Sequence, residues 1–422
     1  MNDNNNKGLL RTLTLKDAVG VGLGAIIGAG IFVVTGIAAG VSGPAFLIGL
    51  IVAGIIAAFN GLSSAQLAAI YPDSGGTYEY GYKLISPVFG FSAGWMFLIS
   101  KLAAGGVVAI GFGSYFYQLV PIGSPLTLSI IAVVFLTIIN FFGIKKAGML
   151  NLVIVTVTLF SLLYLVFSGV PKVNPDNFKP FAPFGISGIA EAAALLFFAF
   201  TGYARIATLA EEVAEPKKTI PKAIIITIIT SIVLYAAVSI VAIGVIGAEN
   251  MADSKSPLQM VAKSLTTPAI NTVITIGAST AMLGVLLSQI LGISRMMLAM
   301  GRRHDLPPIF QTIHYRYRVP HLGIVVTGLI ILLLTIFGTF EFVVRAATFT
   351  ILLYYSITNI AALKQPRKEQ IYGRIIPICG LIGCLTMSVS LPFNVIISGI
   401  GLLIIGFMIR FLFHKIYDGR EL

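Results

Sequence analysis

Charge is scarce in this 422-residue chain: Asp, Glu, Lys and Arg make up 10% of it, against the roughly 25% usual in soluble domains. That shortage excludes an ordinary water-exposed surface, and the 57% hydrophobic content points instead to an integral membrane protein. Cysteine is nearly absent. Cys379 and Cys384, on one expected helix, fit neither a Cys-x-x-Cys motif nor a disulfide framework, and read as helix packing. The four histidines, His304, His314, His321 and His414, all fall in loops or the tail, so the intramembrane metal cluster of a membrane protease is excluded. The glycine-rich run from Gly20 to Gly30 matches neither a dinucleotide-binding fingerprint nor a P-loop, and begins a membrane span instead of following a strand. An enzyme is not expected, and nothing calls for an organic cofactor or a bound metal.

What is present is a series of apolar spans. Twelve are expected, near 17–38, 45–70, 86–118, 126–143, 148–169, 187–212, 221–247, 266–300, 322–338, 342–363, 374–393 and 394–413. Most reach the ~20 residues that a helix needs to cross a bilayer. With the amino terminus inside, most of the Lys and Arg residues fall in cytoplasmic segments, whereas the outside loops hold only Lys172, Lys179, Lys255 and Lys263. The positive-inside rule then puts both termini in the cytoplasm and the chain in the cytoplasmic membrane. The polar start MNDNNNKGLL runs straight into a full-length span, so no cleavable signal peptide is expected. The net charge of +12 is spread over loop after loop rather than gathered on one face. That pattern argues against a nucleic-acid partner and suits attraction to anionic membrane lipid.

Two spans carry an interruption. Gly24 to Phe32 reads GAIIGAGIF and Phe197 to Arg205 reads FFAFTGYAR, each with glycine or small polar residues inside an apolar run. Unwound backbone is tolerated at membrane depth only where it lines a cavity or is buried in protein, and paired broken helices mark a transporter's substrate site. Gly24 and Gly28 also form a G-x-x-x-G pair that would serve close helix packing. Gly20, Gly22 and Gly30 in the same run lower helix stability further and favour local unwinding. Amides freed there, with the positive end of a half-helix, suit a carboxylate.

Four strings in order, GAIIGAGIF, YPDSGGTYEY from Tyr71, FFAFTGYARIATLAEEVAEPKKTIPKA from Phe197, and SRMMLAMGRRHDLP from Ser294, resemble the hallmarks of the amino acid, polyamine and organocation transporter superfamily. The resemblance covers nearly the whole chain. It implies an all-α integral membrane fold of twelve transmembrane helices: a 5+5 inverted repeat, LeuT-like, with broken first and sixth helices and two peripheral helices. The expected divisions are a cytoplasmic tail 1–16, a first repeat 17–169, a second repeat 187–363, the peripheral pair 374–413 and a tail 414–422.

The same resemblance implies an amino acid substrate held at the breaks, by Ala25, Ile26, Ile27, Gly28, Ala29 and Gly30 on the first span and Phe200, Thr201, Gly202, Tyr203 and Ala204 on the sixth. Phe198 falls where relatives place an aromatic outer gate, or is an ordinary apolar helix residue. Tyr78 and Glu79 in the first cytoplasmic loop, with Glu211 and Glu212 ending the sixth span, form part of a cytoplasmic gate or are solvated helix-end charges.

Three departures bear on coupling. The fifth-span lysine of many relatives is replaced by Thr158. The acidic residue that often follows the sixth-span glycine is absent, and Arg205 stands nearby; an arginine at that depth needs a wet cavity or an ion-pair partner, for which Glu191 and Glu212 are candidates. Lys101 lies in the third span, and a lysine, unlike an arginine, can release its proton when desolvated. It either carries the coupling proton or snorkels and pairs with a carboxylate. Two cations at one cavity would repel arginine, lysine or polyamines, so neutral or acidic amino acids are favoured. Proton symport is the leading expectation, with amino acid exchange as the alternative and a sensor or channel behind both. Sodium stays open, because Ser279, Thr280, Ser288 and Ser294 supply oxygens in the eighth span, although such hydroxyls commonly bond the preceding turn. Monomer and dimer are both compatible with the sequence.

Overall fold

The computed structural model describes residues 13–71, 75–142, 147–208, 213 and 215–418. These are helical almost throughout. The first span begins with Thr14, whose side chain accepts from the Asp17 amide while Asp17 bonds back to Thr14, a reciprocal cap that starts α1 (Leu15–Ile26). A π-helical turn (Gly30–Val34) and α2 (Thr35–Ser42) complete that span, and the tight turn at Gly43–Ala45 leads into α3 (Phe46–Ile70).

The chain continues through α4 (Thr77–Leu84), α5 (Pro87–Phe116), α6 (Pro125–Phe142) and α7 (Ala147–Gly169). The sixth span is α8 (Gly185–Phe200), a 3₁₀ turn (Thr201–Tyr203) and α9 (Ala204–Thr208). Then follow α10 (Pro216–Ala252), α11 (Pro257–Ser264), α12 (Ile270–Arg302), α13 (His321–Phe337), α14 (Phe340–Lys364), α15 (Ile375–Val389) and α16 (Phe393–Asp418). Proline opens α5, α6 and α10 at the first turn, where its missing N–H leaves no bond unmade.

Among the described residues, nine helical segments are long and apolar enough to cross a membrane, the first of them Leu15–Ile70; two shorter apolar helices are α13 and α15. The expected spans fall on these elements with shifted ends. Two short helices were not expected: α4, which turns the first loop around Tyr78 and Glu79 into a helix, and α11.

The packing has a clear inside and outside. Ile131, Phe135 and Ile138 of α6 and Phe160 and Phe167 of α7 are exposed, as expected of lipid-facing surfaces. Inside, α5 lies along both α12 and α14, and α3 lies along α8 and α10. Glycine sets the closest approaches: a Cβ on Gly113 of α5 would collide with the Pro125 carbonyl oxygen and the Ser129 hydroxyl of α6. Gly113→Ala should therefore cost about 1–3 kcal/mol through overpacking, read as a lower thermal midpoint of the detergent-purified protein.

Candidate functional site

The first and sixth spans cross at their interruptions, backbone against backbone. The α1 helix stops at Ile26, and Ile27 turns extended at φ −78°, ψ 103°. A Cβ on Gly202 would run into the Ala25 carbonyl and lie 2.5 Å from the Ile26 nitrogen. One on Gly30 would meet the Cβ of Ala199 and lie 2.6 Å from its Cα. Only glycine permits this approach. The two interruptions differ in kind: the first is truly unwound at 27–28, whereas the sixth tightens into a 3₁₀ turn at Thr201–Tyr203.

Carbonyls freed there are taken up by three buried tyrosines from other helices. Tyr235 of α10 donates to Ile26 O at 2.9 Å, Tyr115 of α5 to Phe32 O at 2.6 Å, and Tyr355 of α14 to Thr201 O at 3.3 Å. All three are fully buried. They satisfy acceptors that would otherwise be costly to bury. Phe198 lies one turn before this region and is 9% exposed.

Two cations border the crossing. Lys101 of α5 points its Nζ to the Thr201 hydroxyl at 3.5 Å and over the Phe97 ring at 5.9 Å. Arg205 of α9 donates to the Ser288 carbonyl of α12 at 3.0 Å and to the Ser288 hydroxyl. Lys101 reaches the crossing from α5 and Arg205 from α9, so two positive charges meet it. The local field therefore favours an anionic group.

A second constellation joins α4, the segment after α12 and α16 at one end of the bundle. Glu79 of α4 forms an ion pair with Arg303, just past α12, at 2.5 Å. Asp305, fully buried, accepts from the hydroxyls of Tyr78 at 2.7 Å and Tyr82 at 2.5 Å, and pairs with Arg410 Nε of α16 at 2.9 Å. Arg303 also sits over the Tyr82 ring at 4.7 Å. Burial and the Asp305 carboxylate push both phenols well above their ordinary range, so they remain donors at any physiological pH. Burial works against the Arg303 charge, but the Glu79 pair outweighs it and the net shift is upward.

At the opposite end, α3 separates the two by 25 residues, or about 37 Å of helix. There a cavity of about 440 Å³ opens between Val33, Ile37 and Val41 on one side and Asp253, Lys255 and Glu341 on the other.

The sequence profile of the amino acid permease family matches residues 13–418. This chain belongs to that family. It is 38% identical to an uncharacterized transporter of Mycobacterium tuberculosis over 400 residues, 94% of this chain and 90% of that one. A Bacillus subtilis methylthioribose transporter is 30% identical, and a branched-chain amino acid permease of the same organism 28%, each across 97% of this chain and 94% of the relative. The protein is thus a multi-pass membrane permease and not an enzyme.

Within the permease, one expected pairing is replaced. Glu191, a candidate partner for Arg205, is held by Arg345 of α14 at 2.8 Å, and Arg345 also binds Glu341 at 2.7 Å. The reason is distance: Glu191 precedes Arg205 by nearly four helical turns, about 20 Å along the span. Glu211 and Glu212 lie outside the described residues. Thr158 donates to Ile154 O at 2.8 Å and lies 3.4 Å from Gly277 O. Of the eighth-span hydroxyls, Thr280 bonds to Ile276 O at 2.8 Å and Ser294 to Leu291 O at 2.9 Å, Ser288 is engaged by Arg205, and the buried Ser279 hydroxyl has no partner among the described residues. Among the described residues no three His, Cys, Asp or Glu side chains converge as a metal site.

Sequence reasoning missed Tyr115, Tyr235 and Tyr355, as well as Asp305 and Arg410. Asp305 lay within the SRMMLAMGRRHDLP string and could have been singled out as its one acidic residue. Arg410 carried no such signal.

Proposed function

We propose that the permease is a secondary active transporter that moves small amino acids, neutral or acidic in preference to cationic, by alternating access in the cytoplasmic membrane, with both termini in the cytoplasm. The fold we assign to it is the twelve-helix 5+5 inverted repeat with two peripheral helices. The substrate lies at the crossed interruptions, its carboxylate toward freed amides of the first span, with Phe198 closing over it from outside and the Glu79–Arg303 pair sealing the inside. The observation that carries the reading is the placement of Lys101 and Arg205 at the crossing, since two cations there oppose a third on the substrate. The relatives named as branched-chain amino acid permeases support a neutral substrate.

Proton symport is supported by Lys101 beside Thr201, because a lysine amine, unlike a guanidinium, can release its proton when desolvated. Exchange of one amino acid for another is the second reading, favoured by Thr158 standing in place of a fifth-span lysine. Uptake of labelled amino acids into proteoliposomes, with a pH gradient, a sodium gradient or unlabelled amino acid inside, separates the two. Acid-driven accumulation that loses its pH dependence in Lys101→Ala supports symport. Uptake seen only with internal amino acid makes the permease an exchanger, and saturable arginine uptake would sink the charge argument.

A further inference from the structure

Helix α16 is expected to be peripheral, yet its side chains reach the constellation that seals the α4 end. The helix is fastened to α5: Trp95 Nε1 donates to Leu402 O at 2.8 Å, and Phe91 packs on Phe407 with ring centroids 5.3 Å apart. Gly406 lets the indole of Trp95 lie against the α16 backbone, where a Cβ would sit 2.5 Å from its Cδ1. This fixes the register that brings Arg410 inward. Its guanidinium lies over Phe91, 5.0 Å from the ring centroid, pairs with Asp305 Oδ1 at 2.9 Å and donates from Nη2 to the Tyr82 hydroxyl at 3.1 Å. The Arg410 side chain is 16% exposed and that of Asp305 0%.

We propose that Arg410 is the latch of the α4-end seal, so that the last helix sets the balance between the two orientations of the permease. The argument is electrostatic. Asp305 has no access to water in this arrangement, and Arg410 is the cation that meets its carboxylate. Removing one partner of a buried pair leaves an uncompensated charge, which penalises only the conformation in which that charge is buried. The closed α4 end would then lose stability against an open one in which Asp305 meets water. The two tyrosines that Asp305 holds, Tyr78 and Tyr82, belong to α4, so loosening the carboxylate frees α4 as well. This proposal rests on the alternating-access reading above.

The experiment uses full-length protein in proteoliposomes, with Cys379 and Cys384 replaced by serine and, as a reporter, Gly292→Cys, one turn from Ser288 on α12, where a Cβ meets nothing within 4 Å. A membrane-impermeant maleimide is applied from each face. Arg410→Gln should raise labelling from the α4 face by at least about tenfold, a floor well below the full cost of an unpaired buried carboxylate. It should lower labelling from the other face. Adding Asp305→Asn removes the stranded charge and should restore most of the original ratio, which simple loss of packing would not do. Trp95→Phe, which keeps the cation but removes the Leu402 bond that helps to set its register, should shift the ratio clearly less than Arg410→Gln does. Unchanged labelling in Arg410→Gln, or an equal shift in Trp95→Phe, overturns the latch. If added substrate alters labelling at neither face even with Arg410 present, the alternating-access reading itself fails and the latch with it. A substrate response that persists while Arg410→Gln is silent removes the latch alone.

Discussion

Gly202→Val should abolish uptake while leaving protein that still inserts, and Gly202→Ala should already reduce it more than about tenfold. The atoms that a Cβ would strike are the main-chain carbonyl and amide of residues 25 and 26, not the end of a side chain that could swing away. To accept even one methyl group, the first and sixth spans must separate, and with them the substrate site proposed at their interruptions. Gly20→Ala is the control from the same glycine-rich run. Nothing lies within 4 Å of a Cβ there, and alanine is the better helix former by about 1 kcal/mol, so uptake should hold and stability should not fall. Uptake assays paired with size-exclusion profiles test both. Normal transport by Gly202→Val would mean that the two spans need not touch.

Arg345→Ala should give the second large effect. Its guanidinium bridges Glu191 of the sixth span and Glu341 at the start of α14, with Arg345 and Glu191 each about one-fifth exposed. Removing it strands Glu191 in a partly dehydrated setting, at a cost of about 2–3 kcal/mol after allowing for solvent screening. The thermal midpoint should drop by several degrees. Arg345→Lys should recover only part, because an ammonium cannot hold two carboxylates with the fork of a guanidinium. Combining Arg345→Ala with Glu191→Gln should recover more than the lysine does, since it removes the stranded charge. A fall in stability that Glu191→Gln leaves untouched would show that Arg345 matters for packing rather than for this pair.

The parts of the molecule visible in the sequence are those with a local signature. Apolar runs of sufficient length marked the spans, and Pro392, three residues after α15 ends, marks the division between it and α16. Glycine inside an apolar run marked the interruptions, since no other residue brings backbones so close. Tyr78 and Glu79 were legible as a candidate seal because they sit in a distinctive string. Their partners Arg303 and Asp305 come more than 220 residues later, and nothing local encodes such a pairing. Glu191 and Arg345 are 154 residues apart, and spacing suggested Arg205 as the mate only because it is near in sequence. The tyrosines that bind freed carbonyls were invisible for a different reason: a single Tyr in an apolar helix looks like any other large residue until the helix opposite it is seen to stop.

The main-chain contact at the crossing leaves evolution little to adjust there. Gly30 and Gly202 have no side chain that could be enlarged, shortened or recharged without parting the two spans. With the substrate placed there, as proposed above, retuning for a different cargo would fall to the walls that α5 and α12 contribute, where Lys101 and Ser288 stand. On that reading, the residues that let the two spans touch are not the residues that would choose the cargo.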